Sequence, residues 1–275
     1  MVGPARAIGA LAVISILAGF AQAPVPPPVR TSVSGPTATE PASLLQVQVQ
    51  LPQDVNGDGG VVVKPQDPRN SAPPDCARLK CVALTMDDGP VPATASVLAL
   101  LRREQVHATF FLIGRNAELH PEIVRRMLAD GNAVGNHSWT HPEFWRMGKK
   151  AIRRELARTD AVIKKATGER PTLVRPPYGE VNAKVRKVAK DRGDALILWD
   201  VDPLDWKDHK AKTVVKRVLA HARRGSIILT HDVWPSTRHA YKAIIRGLKA
   251  KGFTLVTVPE LLAGKAKPGK VYLRR

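Results

Sequence analysis

From Cys76 onward the sequence alternates short β-branched or apolar runs with longer segments of helical periodicity, and this alternation constrains the fold more than any other feature. It is the signature of repeated βα units around a mostly parallel sheet. The expected strands are Val82 to Met86, Thr109 to Ile113, Ala133 to Gly135, Thr172 to Arg175, Ala195 to Trp199, Ser226 to Thr230 and Phe253 to Val258. Seven strands are enough for a barrel. Between them, a segment such as Met147 to Thr167 places Ile152, Leu156, Ile163 and Ala166 on one face and lysines and arginines on the other, as an outer-layer helix requires. In folds of this kind, sites gather at the carboxyl edge of the sheet, where strands end in loops.

The residues before this region are organised differently. Arg6, an apolar run from Ala7 to Phe20 and the tripeptide Ala21-Gln22-Ala23 fit a signal peptide over residues 1–23. The alternative is an uncleaved anchor, which needs about 20 apolar residues, and this run is shorter. Eleven of the 23 prolines fall between Pro24 and Pro74, among Gly, Ser, Thr and Gln, so residues 24–74 are expected to be a disordered linker. Within it, Asp54-Val55-Asn56-Gly57-Asp58-Gly59 resembles the start of a calcium loop, but Pro65 stands where that loop needs its bidentate Glu. It is read as a flexible acidic turn. The catalytic domain is expected over residues 75–275.

Cys76 and Cys81 are the two cysteines. In an exported protein a close pair is more plausibly a disulfide than a redox centre, and so short a loop gives modest stabilisation; two free buried thiols are the alternative. The net charge is +19, and residues 1–70 carry four basic and four acidic side chains, which leaves 39 basic against 20 acidic in the rest. A basic domain attracts anionic polymers, whether cell-wall glycan with its acidic peptides or nucleic acid. Export favours the wall, so no nucleic-acid partner is expected.

Five segments carry chemistry. The first strand ends in Thr85-Met86-Asp87-Asp88-Gly89-Pro90, where adjacent carboxylates on an extended chain point opposite ways and can do different jobs. Taken alone it is also ordinary turn chemistry. His137-Ser138-Trp139-Thr140-His141-Pro142 is expected to project two imidazoles from one face of a helical turn, which with a loop-borne Asp suits a divalent ion with open positions. Arg175-Pro176-Pro177-Tyr178-Gly179 combines a carboxylate-gripping fork with a stiffened backbone, though alone it could be a rigid loop. Asp202-Pro203-Leu204-Asp205-Trp206 and Leu229-Thr230-His231-Asp232 complete the set. An Asp bonded to the His231 imidazole would favour its protonated form, as a general acid needs.

In this order the five segments resemble the motifs of the polysaccharide deacetylase family, the carbohydrate esterases built on the chitooligosaccharide deacetylase homology domain. The resemblance runs from about Cys76 to Leu262. It implies an α/β fold, a distorted (β/α) barrel with about seven parallel strands. It implies Asp87 as base, His231 as acid, and Asp88, His137 and His141 on a divalent metal, with zinc ahead of cobalt or nickel. It further implies that Arg175 positions Asp87, that Asp205 orients His231, that Tyr178 lends its backbone N–H to an oxyanion, and that Trp206, Leu229 and Pro177 contact substrate. Met86 stands where the family has Phe, at a position that faces packing.

The expected activity is removal of N-acetyl groups from an amino-sugar polymer, foremost the N-acetylglucosamine of peptidoglycan. Chitin oligomers or acetylated xylan are the alternative substrates. A silent glycan-binding module is the alternative of another class, and the intact Asp87, Asp88, His137, His141 and His231 argue against it. The partner is expected to be a polysaccharide outside the cell or at the wall, with a monomeric protein and no stable membrane insertion.

Overall fold

The computed structural model describes residues 73–275. The expected signal peptide, nearly all of the expected linker and the Asp54 segment therefore lie outside the described residues.

The chain alternates β1 (Cys81–Asp87), α1 (Thr94–Arg103), β2 (Thr109–Leu112), α2 (Gly114–Leu119), α3 (Pro121–Ala129), β3 (Ala133–Asn136), α4 (Lys149–Thr167), β4 (Leu173–Val174), α5 (Ala183–Arg192) and β5 (Ala195–Ile197). It continues with α6 (Asp205–Asp208), α7 (Ala211–His221), β6 (Ile227–Ile228), α8 (Pro235–Ala250), β7 (Thr254–Val256), α9 (Val258–Leu261) and β8 (Val271–Tyr272). All the strand pairs are parallel, in the order β6-β1-β2-β3-β4-β5-β8, with β7 alongside the first three residues of β1 and β2 alongside its last three. Single bridges, Val201 to Ile228 and Ser226 to Arg274, join the two ends of the sheet where a regular barrel would carry a ladder. The fold is thus the expected distorted (β/α) barrel. An eighth strand, only two residues long, follows the seven expected ones because Val271-Tyr272 is too short a run to be seen as periodicity.

The period of two along the strands sorts side chains into two layers. Leu84, Met86, Phe110 and Leu112 pack outward with Leu98 of α1 and Ile244 and Leu248 of α8, all essentially inaccessible. Ala83, Phe111, Ile197, Ile227 and Val256 fill the interior. Truncating a buried Phe such as Phe110 would cost about 3–5 kcal/mol through lost transfer energy and the cavity left behind. Met86 lies in the outward layer, so its substitution for Phe is a packing matter.

Several strands stop short of the sequence expectation. The last expected strand ends at Val256 because Thr257 and Glu260 form a capping box that starts α9 at Val258. The long outer helix begins at Lys149 rather than Met147, with Gly148 as its cap, and buries Ile152, Leu156 and Ile163, while Ala166 is partly buried against the outward layer. Cys76 and Cys81 are joined by a disulfide, which ties the chain entering the domain to the start of β1.

Candidate active site

The strand ends place the five motifs around one cavity of about 400 Å³, lined by Asp87, Asp88, His137, His141, Tyr178, Trp199, Asp202, Trp206, Leu229 and His231. Asp87 is the last residue of β1 and is buried. Its Oδ1 accepts a hydrogen bond from Arg175 Nη1 at 2.7 Å. Arg175 is fully buried: it also donates to Thr85 Oγ1 at 2.7 Å and to the carbonyls of Ile197 and Leu198 at 3.1 Å, and its guanidinium lies 4.2 Å from the Phe111 ring centroid. Burial pushes the Asp87 carboxyl above the usual range, against the opposing pull of Arg175, His231 and His141.

The alternation argument for the neighbouring carboxylates does not hold beyond β1. Asp88 has φ 72°, a left-handed conformation that Asp tolerates, so the chain turns after Asp87 and both carboxylates line the same cavity. Asn116 holds this turn by donating to the Asp88 carbonyl at 2.7 Å.

His137 and His141 do come together, but through a loop and not a helical turn. No helix covers residues 137–141, and Ser138 and His141 have φ 68° and 59°. The loop is folded by local bonds: Asn136 Oδ1 accepts from Ser138 N at 2.8 Å, Ser138 Oγ from His141 N at 3.0 Å, and Glu155 of α4 from the Trp139 and Thr140 amides at 3.1 and 2.9 Å. A spacing of four residues suggests a helix, but side-chain acceptors for successive amides offer the backbone an alternative, and here that alternative prevails.

Asp88, His137 and His141 each offer one ligand atom, all within 4.8 Å of one another. His137 Nδ1–H donates to the Arg175 carbonyl at 2.6 Å, since a carbonyl can only accept, and this leaves Nε2 unprotonated 3.5 Å from Asp88 Oδ1. Burial lowers the His137 pKa to about 3, so the ring is neutral, as a metal ligand must be. Asp88 Oδ1 is itself buried with no hydrogen-bond partner. A three-membered donor set with an unpartnered carboxylate oxygen fits a divalent cation.

On the other side of the cavity, His231 Nδ1–H donates to Asp205 Oδ1 at 2.9 Å, and Asp205 Oδ2 accepts from the His231 amide at 2.8 Å and from Thr237 Oγ1 at 2.9 Å. Burial alone would lower the His231 pKa, yet Asp205, with the charges of Asp87 and Asp88, outweighs it and pushes the imidazole up to about 9. Tyr178 has φ 58°, packs edge-on against His141 with centroids 4.6 Å apart, and has no backbone acceptor for its N–H among the described residues. The next residue must be small, because a Cβ on Gly179, at φ 69°, would meet the Trp199 ring at 2.9 Å.

Ten of the eleven site residues expected from the sequence lie in or directly behind the cavity. Pro177 is instead buried and does not line it. Trp199 lines the cavity without having been singled out, and Asp202, which opens the fourth motif, lines it without having been given a role; an aromatic ending an expected strand at the carboxyl edge is the signal that could have found Trp199. Asn136 was also missed, since an Asn at a strand end carries no motif.

The polysaccharide deacetylase family model matches residues 75–196. A peptidoglycan-N-acetylmuramic acid deacetylase of Bacillus subtilis is 46% identical over 183 residues, which is 66% of this chain and 38% of that protein. A peptidoglycan-N-acetylglucosamine deacetylase of Listeria monocytogenes is 40% identical over 194 residues, 70% of this chain and 41% of that protein. This chain thus spans about two fifths of the length of these relatives. Among solved structures, a family 4 acetyl xylan esterase from Clostridium thermocellum in complex with a cobalt ion matches with a TM-score of 0.66 and 34% identity, over 70% of this chain and 98% of that one. With fold, motifs and comparisons in agreement, the chain belongs to the polysaccharide deacetylase family.

Proposed function

We propose that this domain is a divalent-metal-dependent N-deacetylase acting on N-acetylglucosamine residues of bacterial wall glycan. The reading is carried by one cavity that collects a buried carboxylate, a charged imidazole on its Asp partner, and the Asp88, His137 and His141 donor set. These three residues would hold the ion, with zinc the first choice for two imidazoles and one carboxylate and cobalt or nickel as alternatives. When bound, such an ion supplies Lewis-acid polarisation of the acetyl carbonyl and acidifies water toward a pKa of about 7.

The chain's own residues supply the rest. Asp87 Oδ1 is engaged by Arg175, which holds the carboxyl in place and leaves Oδ2 to accept the proton of the attacking water. The free N–H of Tyr178 donates to the oxyanion of the tetrahedral intermediate. His231, protonated at neutral pH, gives its Nε2 proton to the leaving amine, while Asp205 fixes the ring and stabilises its charge. Trp206 and Leu229 form apolar wall around the acetyl group, and Trp199 extends that wall.

Two relatives named for wall-glycan deacetylation favour that substrate, one for each amino sugar of the polymer. An amino-terminal export signal agrees with it, and no helix among the described residues is long and apolar enough to cross a membrane. The likeness to an acetyl xylan esterase sustains a second reading, in which the same groups cleave an O-acetyl ester. Acetate release from purified peptidoglycan, chitin oligomers and acetylated xylan separates these, with mass analysis to show which amino sugar has lost its acetyl group. Release from peptidoglycan at N-acetylglucosamine is expected; release from xylan alone, or only at N-acetylmuramic acid, would refute the substrate assignment.

A further inference from the structure

A second groove, of about 530 Å³, is lined by Lys265, Lys267, Lys270, Arg274 and Arg275 together with apolar residues that include Leu262, Val271 and Leu273. No acidic residue lines it. The five cations fall within eleven residues, 265–275, that contain no acidic side chain. All five are exposed. Whereas the nearby Arg223 is paired with Asp200, these five have no carboxylate partner among the described residues.

The segment is fastened to the barrel and does not trail from it. Val271 and Tyr272 pair with Leu196 and Ile197 of β5, Arg274 bridges to Ser226, and the Arg275 amide donates to the Gly225 carbonyl at 2.9 Å. Tyr272 Oη accepts from the Lys267 amide at 3.0 Å, and Lys270 Nζ stands 5.0 Å from the Tyr272 ring centroid. The backbone that carries these cations is thus ordered by the fold, so their charges are gathered in one groove, with only the side-chain entropy left to be lost on binding. Exposed like charges repel, so an array with no acidic side chain paired to it is stabilised by an external anion.

The position of the groove limits what that anion can belong to. Gly225 precedes β6 and donates to the Cys81 carbonyl at the start of β1, and Gly269 donates to the carbonyl of Asp194, which precedes β5. The groove therefore lies toward the amino-terminal ends of the strands, opposite the carboxyl ends that carry Asp87, His137 and His231. An anion bound there cannot belong to the sugar being deacetylated.

We propose that this groove is an exosite for the carboxylate-bearing peptides of a neighbouring wall-glycan strand, holding the enzyme to the polymer while the cavity works on another strand. The proposal rests on the wall-glycan reading above. Peptide is favoured over a phosphate polymer because the groove sets Leu262, Val271 and Leu273 among its cations, which suits a ligand that carries apolar groups between its carboxylates.

The test is co-sedimentation of the full chain with insoluble peptidoglycan stripped of attached phosphate polymers, across a salt series, beside peptidoglycan freed of its peptides and beside chitin particles. Wild-type protein should sediment with the peptide-bearing polymer at low salt and be released as salt rises, and should bind the other two weakly. The variant Lys265→Gln/Lys267→Gln/Lys270→Gln should bind about tenfold more weakly, since each exposed charge pair contributes a factor of about 1.5 to 5. Its acetate release from a soluble chitin oligomer should match wild type, which reports folding and the cavity separately from the groove. Equal sedimentation of the variant, loss of wild-type binding on removal of phosphate polymers, or undiminished binding to peptide-free glycan would each overturn the proposal. Binding needs no turnover, so these outcomes stand whichever substrate the cavity proves to accept.

Discussion

Asn136 joins two buried clusters of Asp and Arg that are built for different ends. Its side chain donates to Asp160 Oδ1 at 2.6 Å, and its backbone carbonyl accepts from the Arg175 amide at 3.0 Å. In the first cluster every carboxylate oxygen is engaged: Asp160 Oδ2 accepts from Arg170 and Arg192, Asp194 Oδ1 from Arg170 at 2.6 Å, and Asp194 Oδ2 from Arg192 at 2.8 Å. In the second, Asp87 Oδ1 is held by Arg175, but Oδ2 makes no hydrogen bond among the described residues, and the unprotonated His137 Nε2 stands 3.7 Å from it. Burial raises the pKa of Asp194 and of Asp87 alike. A shifted pKa therefore does not separate them. Chemistry is available where an acceptor is left unspent in front of a cavity, and a closed ion-pair network is structural even when it is equally buried.

The sharpest way to break this contrast is Asp87→Asn, which removes the proposed base and leaves the three proposed metal donors in place. Turnover should fall by about 10² to 10⁴ while metal content, read by elemental analysis, is retained. A loss below tenfold would move the role elsewhere. Next in size, His141→Ala removes one of three donors, so metal occupancy and rate should fall together by one to two orders of magnitude, with chelation of the wild type producing the same loss. Metal content unchanged in the variant would remove His141 from the donor set.

A pH profile sharpens the comparison on the acid side. In its proposed role as acid His231 must be protonated, so the rate should hold up to about pH 9 and fall above it. In Asp205→Asn the largest raising influence is gone, burial remains, and only the charges of Asp87 and Asp88 oppose it, so this alkaline limb should move down toward the ordinary imidazole value of about 6.5. The same raised pKa makes His231 a source of stability that is fully present below pH 6.5 and lost as pH rises through 9, so wild type and variant should converge in thermal stability at high pH. Limbs that coincide would refute Asp205 as the orienting partner. The smallest effect on chemistry belongs to the closed network: Asp194→Asn should lower Tm by about 4–8 °C, for a loss of roughly 2 kcal/mol, and leave kcat unchanged. A drop in kcat at unchanged Tm would show that this network shapes the loop of His137 through Asn136.

Much of the fold was legible because its signals are local. Runs such as Val82 to Met86 and the amphipathic stretch around Ile152 and Leu156 carry their periodicity within a few residues. What escaped was short or non-local: β8 is two residues long, and the closing bridges of Val201 and Ser226 join segments far apart in sequence. The site was legible at the level of motifs and misjudged at the level of backbone. Asp87 and Asp88 were expected to diverge, and the two imidazoles were expected on a helical turn. Left-handed residues at 88, 138 and 141 decided otherwise, held there by Asn116, Asn136, Ser138 and Glu155.

By itself, the order of residues determined the barrel class and which residue types stand at the ends of its strands, because hydrophobic period and contiguous motifs are written along the chain. Only the tertiary structure decided what those residues can do. The unprotonated Nε2 of His137 depends on the carbonyl of Arg175, 38 residues away, and the charged state of His231 depends on Asp205, 26 residues away. Burial and hydrogen-bond partners set protonation, and both are properties of the folded neighbourhood, not of the chain.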